Sequence, residues 1–75
     1  MSELLEIKVK LMRLPEVSDT TGLGRSAIYE RIAEGTFPKQ VPLGGRAVAW
    51  VSDEIYAWIA ARIEERDAGR ETFNV

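Results

Sequence analysis

Apolar and polar residues alternate along the first part of the chain in the way that is typical of a strand. The segment 4–14 (LLEIKVKLMRL) has a period of two through its central residues, which favours an extended strand. Pro15 then suits the first turn of a helix, where the missing N–H costs nothing, and that helix must end by Gly22. The sequence therefore predicts a strand followed by a short helix, which is stable only when it packs against other elements.

A second helix is predicted from Arg25 to Glu34, directly after a glycine-containing turn. Glycine inside a helix costs roughly 1 kcal/mol relative to alanine, so the Gly22-Leu23-Gly24 segment indicates a turn. Ile28 and Ile32 lie four residues apart and form the expected buried stripe. Gly35 is expected to cap the helix in the left-handed conformation.

The segment 41–50 (VPLGGRAVAW) has the pattern of a β-hairpin. Gly44-Gly45 is predicted as its two-residue turn, with Arg46 at the tip, because hairpin turns of this kind need positive φ angles. Pro42 cannot donate to a strand ladder, which predicts that the first arm is an edge strand. In this register, Val41 and Leu43 on the first arm are opposite Val48 and Trp50 on the second.

A long amphipathic helix is predicted after the hairpin, with Ser52 as its N-cap and an end at about Arg66. Its apolar stripe repeats every four residues at Ile55, Ile59 and Ile63. Trp50, Tyr56 and Trp58 are interpreted as core aromatics. The C-terminal residues 67–75 lack periodicity and are predicted to fray.

Composition limits the function. The chain has 75 residues and no cysteine or histidine, which predicts one small domain without disulfides, thiolate zinc sites or a histidine base. We therefore expect no enzyme, no metal and no cofactor. No apolar run is long enough to cross a bilayer and no signal peptide begins the chain, so a cytoplasmic protein with no membrane partner is expected.

The net charge of −2 argues against nucleic acid as a partner, but its distribution weakens that objection. Residues 13–50 contain five basic and four acidic side chains, whereas residues 51–75 contain three basic and six acidic ones. A ligand with phosphates would therefore meet the middle of the chain. Arg13 and Lys39 are interpreted as solvated surface residues.

The order of the elements predicts a mainly α fold with a small β-hairpin, a winged helix-turn-helix. Two short helices joined by a glycine turn form the helix-turn-helix unit, whose second helix enters the major groove of double-stranded DNA. The hairpin with Arg46 at its tip is the wing, which contacts a neighbouring phosphate. We predict an N-terminal extension with a strand over residues 1–11, the DNA-binding domain over 12–66 and a tail over 67–75.

Residues 12–66 also resemble the AlpA family of phage and prophage regulators, which is related to excisionase and MerR-type DNA-binding domains. The resemblance is carried by RLPEV, TGL-x-RS-x-IY, G-x-FP, LG-x-RAV-x-W and a following WI, in that order. It implies a sequence-specific transcriptional regulator in which Arg25, Ser26 and Tyr29 begin the recognition helix and Arg46 is the wing arginine.

Two residues depart from the pattern of that family. Gly24 stands where the family usually has a capping serine. Glu30 stands where the family often has a basic residue, and its carboxylate would repel a phosphate but can accept a hydrogen bond from a cytosine amino group. Glu30 is therefore included among the DNA-binding candidates.

The sequence leaves three function classes open: a transcriptional regulator, an excisionase-like architectural protein that directs recombination, and a winged-helix module that binds protein and not DNA. It also leaves the oligomeric state open. The alternating segment before Met12 either pairs with its twin in a homodimer or packs onto the wing within one chain.

Overall fold

The computed structural model describes residues 9–73, with side chains over residues 9–69, and these residues form three helices and a three-stranded antiparallel sheet. The elements in chain order are β1 (Leu11–Met12), α1 (Leu14–Thr21), α2 (Arg25–Glu34), β2 (Val41–Gly44), β3 (Ala47–Val51) and α3 (Ser52–Phe73). This order confirms the predicted winged helix-turn-helix. Residues 4–8 of the predicted strand lie outside the described residues, and the proposed domain boundaries stay predictions.

The turn between α1 and α2 is closed by a glycine cap and two hydroxyl groups. Gly22 ends α1 with a φ of 79°, and its N–H donates to the Ser18 carbonyl at 2.8 Å. The Ser18 hydroxyl donates to the Leu23 carbonyl at 2.6 Å, and the Leu23 N–H donates to Thr21 Oγ1 at 3.2 Å. Both backbone polar groups of Leu23 are thus bonded to side chains, which holds the two helices in one relative orientation.

The sheet has the strand order β1-β3-β2, so β3 is its central strand. Leu11 is opposite Val51 and Met12 is opposite Trp50, which shows that the described part of the N-terminal strand packs on the wing of its own chain. Pro42 lies in the edge strand β2, as predicted, opposite Val48.

The predicted register of the hairpin is wrong by one residue at the turn. The turn residues are Gly45 and Arg46, and Gly44 still pairs with Ala47 as the end of β2. The pairing is irregular between Pro42 and Gly44, because β2 contains an extra residue there. Gly44 and Gly45 have φ angles of 114° and 57°, and only glycine adopts the first of these without strain.

The core lies between the sheet and the three helices. Trp50 is fully buried on β3, and its indole N–H donates to the Pro38 carbonyl at 3.1 Å. Trp58 is half-buried; its indole N–H donates to the Thr36 carbonyl at 2.8 Å. The buried core side chains are Met12, Val17, Ile28, Phe37, Trp50 and Ile55.

Helix α3 begins at Ser52, which is bonded to the chain just before β1. Ser52 is only 3% exposed; its N–H donates to the Lys10 carbonyl at 2.8 Å, and its hydroxyl accepts from the Lys10 N–H at 2.9 Å. The Ser52 hydroxyl thus bonds to the backbone just before β1, and the N-cap role predicted for it stays a prediction. The Lys10 ammonium also forms an ion pair with Glu16 at 2.7 Å, and this hydrogen-bonded carboxylate raises the pKa of Lys10.

Helix α3 also continues to Phe73, beyond the predicted end at Arg66. Residues 67–73 have no apolar period, so the hydrophobic pattern gives no signal for this extension. Burial decreases along the described side chains of α3: Ile55 is fully buried and Ile59 is half-buried, whereas Ile63 is 44% exposed. Tyr56 is 52% exposed, so the prediction that it belongs to the core is wrong.

This gradient along α3 predicts unequal costs of truncation. Ile55→Ala is expected to cost about 2–5 kcal/mol of unfolding free energy, because it opens a cavity in the core of a small domain. Ile63→Ala serves as the matched control and is expected to cost less than about 1 kcal/mol. Urea unfolding followed by circular dichroism measures both, and equal losses would show that the helix packs on another face.

Candidate nucleic-acid interface

The N-terminus of α2 is open and carries no acidic residue in its first turn. Gly24 precedes it in an extended conformation (φ −80°, ψ 174°) and supplies no side-chain cap. The first N–H groups of a helix lack partners within the helix, and the helix dipole makes this end positive. Arg25, the first helical residue, is exposed and adds a full positive charge there. This end of α2 is suited to a negatively charged ligand such as a DNA phosphate.

Arg25 is held over an aromatic ring. Its guanidinium carbon lies 5.3 Å from the centroid of the Tyr29 ring, one helical turn further on. Tyr29 is half-buried and packs edge-to-face on Trp50, with ring centroids 6.1 Å apart. The core thus orients Tyr29, and Tyr29 orients Arg25. A contact between Tyr29 itself and a base stays a prediction.

Ser26 and Glu30 lie on the open face of α2, four residues apart. Both are exposed, and within residues 9–69 neither side chain takes part in a hydrogen bond or an ion pair. A hydroxyl and a carboxylate in this position can donate to and accept from base edges in a major groove.

Arg46 lies in the turn between β2 and β3 and is exposed. Its side chain has no ion-pair partner within the part of the chain that has described side chains. It projects from a two-stranded arm whose backbone is paired, which is the form of a wing.

Arg13, interpreted from the sequence as a solvated surface residue, makes a contact that the sequence did not reveal. It is exposed, but its Nε–H donates to the Val48 carbonyl on β3 at 2.9 Å. The two residues are 35 positions apart, so no local pattern signals the contact. Arg13 is thereby placed at the base of the wing.

Other kinds of site have less support in the described residues. An open groove of about 820 Å³ lies between the segment after α2 and helix α3. Its arginine, Arg62, already stacks over Trp58 at 5.2 Å and pairs with Glu65 at 2.7 Å. Within residues 9–69, no cluster of acidic side chains is arranged to hold a metal ion. Within residues 9–73, no helix is long and apolar enough to span a membrane.

Comparison with known proteins identifies relatives of this chain. The family model described as "Prophage CP4-57 regulatory protein (AlpA)" matches residues 10–63. The uncharacterized protein ORF88 of Enterobacteria phage P4 is 52% identical over 60 residues, covering 80% of this chain and 68% of that protein. The DNA-binding transcriptional activator AlpA of Escherichia coli K12 is 37% identical over 60 residues, covering 72% of this chain and 86% of that protein. No solved structure matches the chain.

The missing cap of α2 leads to a prediction about stability. A Cβ built on Gly24 meets nothing within 4 Å and the backbone there is extended, so a serine fits without strain. Gly24→Ser is expected to stabilise the fold by about 0.5 kcal/mol, because the hydroxyl caps a free N–H and the unfolded chain loses freedom. Gly24→Ala is the control, since it has the second effect without the first. If thermal unfolding shows that Gly24→Ala is more stable than Gly24→Ser, the N-terminus of α2 does not lack a cap.

Proposed function

The chain belongs to the AlpA family of prophage regulatory proteins, and on this premise we propose that it binds double-stranded DNA and regulates transcription of phage or mobile-element genes. The observation that carries the proposal is the open, basic N-terminus of α2. It is presented by a helix-turn-helix beside a wing with an exposed arginine. The similarity to the DNA-binding transcriptional activator AlpA of E. coli supports the same function.

In this proposal α2 is the recognition helix. Its first turn enters the major groove, where Arg25 donates to a guanine edge and Ser26 and Glu30 contact neighbouring bases. Tyr29 supports Arg25 from the core side. The wing places Arg46 against a phosphate of the adjacent backbone, which positions the domain without reading sequence.

The acidic end of the chain is compatible with this arrangement when α3 points away from the DNA. Glu64, Glu65 and Asp67 are exposed on the part of α3 that extends beyond the core. Since exposed charges more than about 10 Å apart are largely screened at 0.1 M salt, this region contributes little repulsion at the recognition helix.

A regulator and an excisionase-like architectural protein use the same surface, and they differ in outcome. Changed transcription without changed recombination is expected for the regulator that we propose. A homodimer on DNA stays a prediction, since a single domain of this size covers only about 600–1,000 Å² of its own surface.

The two arginines are expected to fail differently. Arg25→Ala is expected to cost about 1–3 kcal/mol on the cognate site and much less on random DNA, because it reads a base edge. Arg46→Ala is expected to weaken both DNAs alike and to flatten the slope of log K against log salt by about 1, because one phosphate contact is lost. Titrations at several salt concentrations, with upstream regions of the source genome as DNA, measure both effects.

Arg66→Ala is the matched control, because Arg66 is an exposed arginine already paired with Asp67 at 2.9 Å. It is expected to bind like the parent protein. If both Arg25→Ala and Arg46→Ala also bind like the parent at every salt concentration, the assigned DNA contacts are wrong. A parent protein without salt-dependent binding to any DNA would favour the protein-interaction module.

Glu30 is expected to read a cytosine amino group. Glu30→Gln is then expected to weaken cognate binding by about 1–3 kcal/mol and to relax the preference at one base pair, because the amide replaces half of the acceptor by a donor. Glu34→Gln, an exposed change in the last turn of the same helix, is the control. Tighter binding of the Glu30 variant to all sequences would instead place Glu30 against a phosphate.

A further inference from the structure

The strand β1, which borders one side of the wing, is shorter than its neighbour β3. β1 ends at Met12, which is opposite Trp50. Continuing this antiparallel register by two residues would place Leu14 opposite Val48, but Leu14 is already the first residue of α1. Within the described chain, the outer part of β3 therefore has no neighbouring strand on the β1 side.

The direction of the backbone groups shows what this leaves unpaired. The Ser52 N–H donates to the Lys10 carbonyl, so the groups at this position face β1. In an extended strand every second residue directs its N–H and C=O to the same side. The backbone N–H and C=O groups of Trp50 and Val48 therefore also point toward the β1 side. The Val48 carbonyl points to the place that a longer β1 would occupy.

Arg13 occupies that position. Its Nε–H donates to the Val48 carbonyl at 2.9 Å and so replaces the backbone donor of a third strand. On its other side, Val48 is opposite Pro42, which has no N–H. The two residues form a non-hydrogen-bonded pair, so no N–H is needed there. Arg46 lies two residues before Val48 and directly follows two glycines with positive φ, Gly44 and Gly45. The Arg13 side chain thus ties β3, two residues from Arg46, to the start of α1.

We propose that Arg13 is a positioning residue of the DNA-binding surface, whose hydrogen bond to Val48 holds the wing against the helix-turn-helix and so aims Arg46. This inference rests on the proposed function for the role of Arg46 on DNA. The hydrogen bond between Arg13 and the wing is a property of the free protein and does not depend on the proposed function.

A matched pair of variants tests the hydrogen bond apart from the charge. Arg13→Gln and Arg13→Met both lose the positive charge, but the glutamine Nε2 lies the same number of bonds from the backbone as the arginine Nε and retains an N–H. Arg13→Met is expected to bind DNA about three- to tenfold more weakly than Arg13→Gln, the range for one lost hydrogen bond. Equal affinities of the two variants would overturn the proposal.

A double-mutant cycle shows whether Arg13 acts through Arg46. In an Arg46→Ala background the difference between the Gln and Met variants is expected to disappear, because no wing arginine remains to be aimed. A difference that persists unchanged in that background would mean that Arg13 does not act through Arg46, and would overturn the proposed role.

Amide hydrogen exchange in the free protein tests the tie independently of DNA. Arg13→Met is expected to speed exchange at Ala47 and Ala49, relative to Arg13→Gln, and to leave Ile28 and Ile32 in α2 unchanged. If the parent binds no DNA but this difference is present, the proposed function fails and the tie stands. Equal exchange of the wing amides in both variants overturns the tie itself.

Discussion

The burial of Trp50 at the centre of β3 is the constraint on which the other parts of the domain depend. Its side chain has no exposed surface, its indole N–H is bonded to Pro38 and its ring packs on Tyr29. One side chain thus joins the wing, the segment after α2 and the helix proposed to read DNA. The recognition helix and the wing are oriented through this shared core, and a core substitution at Trp50 is therefore also a change in the DNA-binding surface.

The sequence predicted best where local chemistry determines the structure. Both ends of α2 were predicted because the conformation there is set within a few residues: Gly24 begins the helix and Gly35 ends it with a φ of 80°. The end of α1 at Gly22 follows the same rule. The position of Arg25 followed from the predicted start of α2, and the position of Arg46 followed from the predicted hairpin. Their contacts with DNA stay predictions.

The sequence predicted least where contacts join distant residues or where no hydrophobic pattern marks the end of an element. The hairpin register depends on an extra residue in β2 near Leu43, which two adjacent glycines do not reveal. The end of α3 at Phe73 lies in a stretch without an apolar period, so the pattern of the sequence does not mark it. The Arg13–Val48 hydrogen bond exists because β1 is short and α1 begins early, and neither fact is visible in the residues around Arg13.

The net charge is a poor guide to the candidate nucleic-acid interface, because some of the basic side chains are already paired with acidic ones. On α3, Arg62 pairs with Glu65 and Arg66 pairs with Asp67, so their cations are partly neutralised within the chain. Arg25 and Arg46 have no acidic partner among the described side chains. In the proposed interface the cations that meet the DNA are Arg25 and Arg46, so general attraction to the phosphate backbone contributes little. The affinity for DNA must depend on a small number of well-placed contacts, and for such a protein the positioning of each arginine counts for more than the total charge.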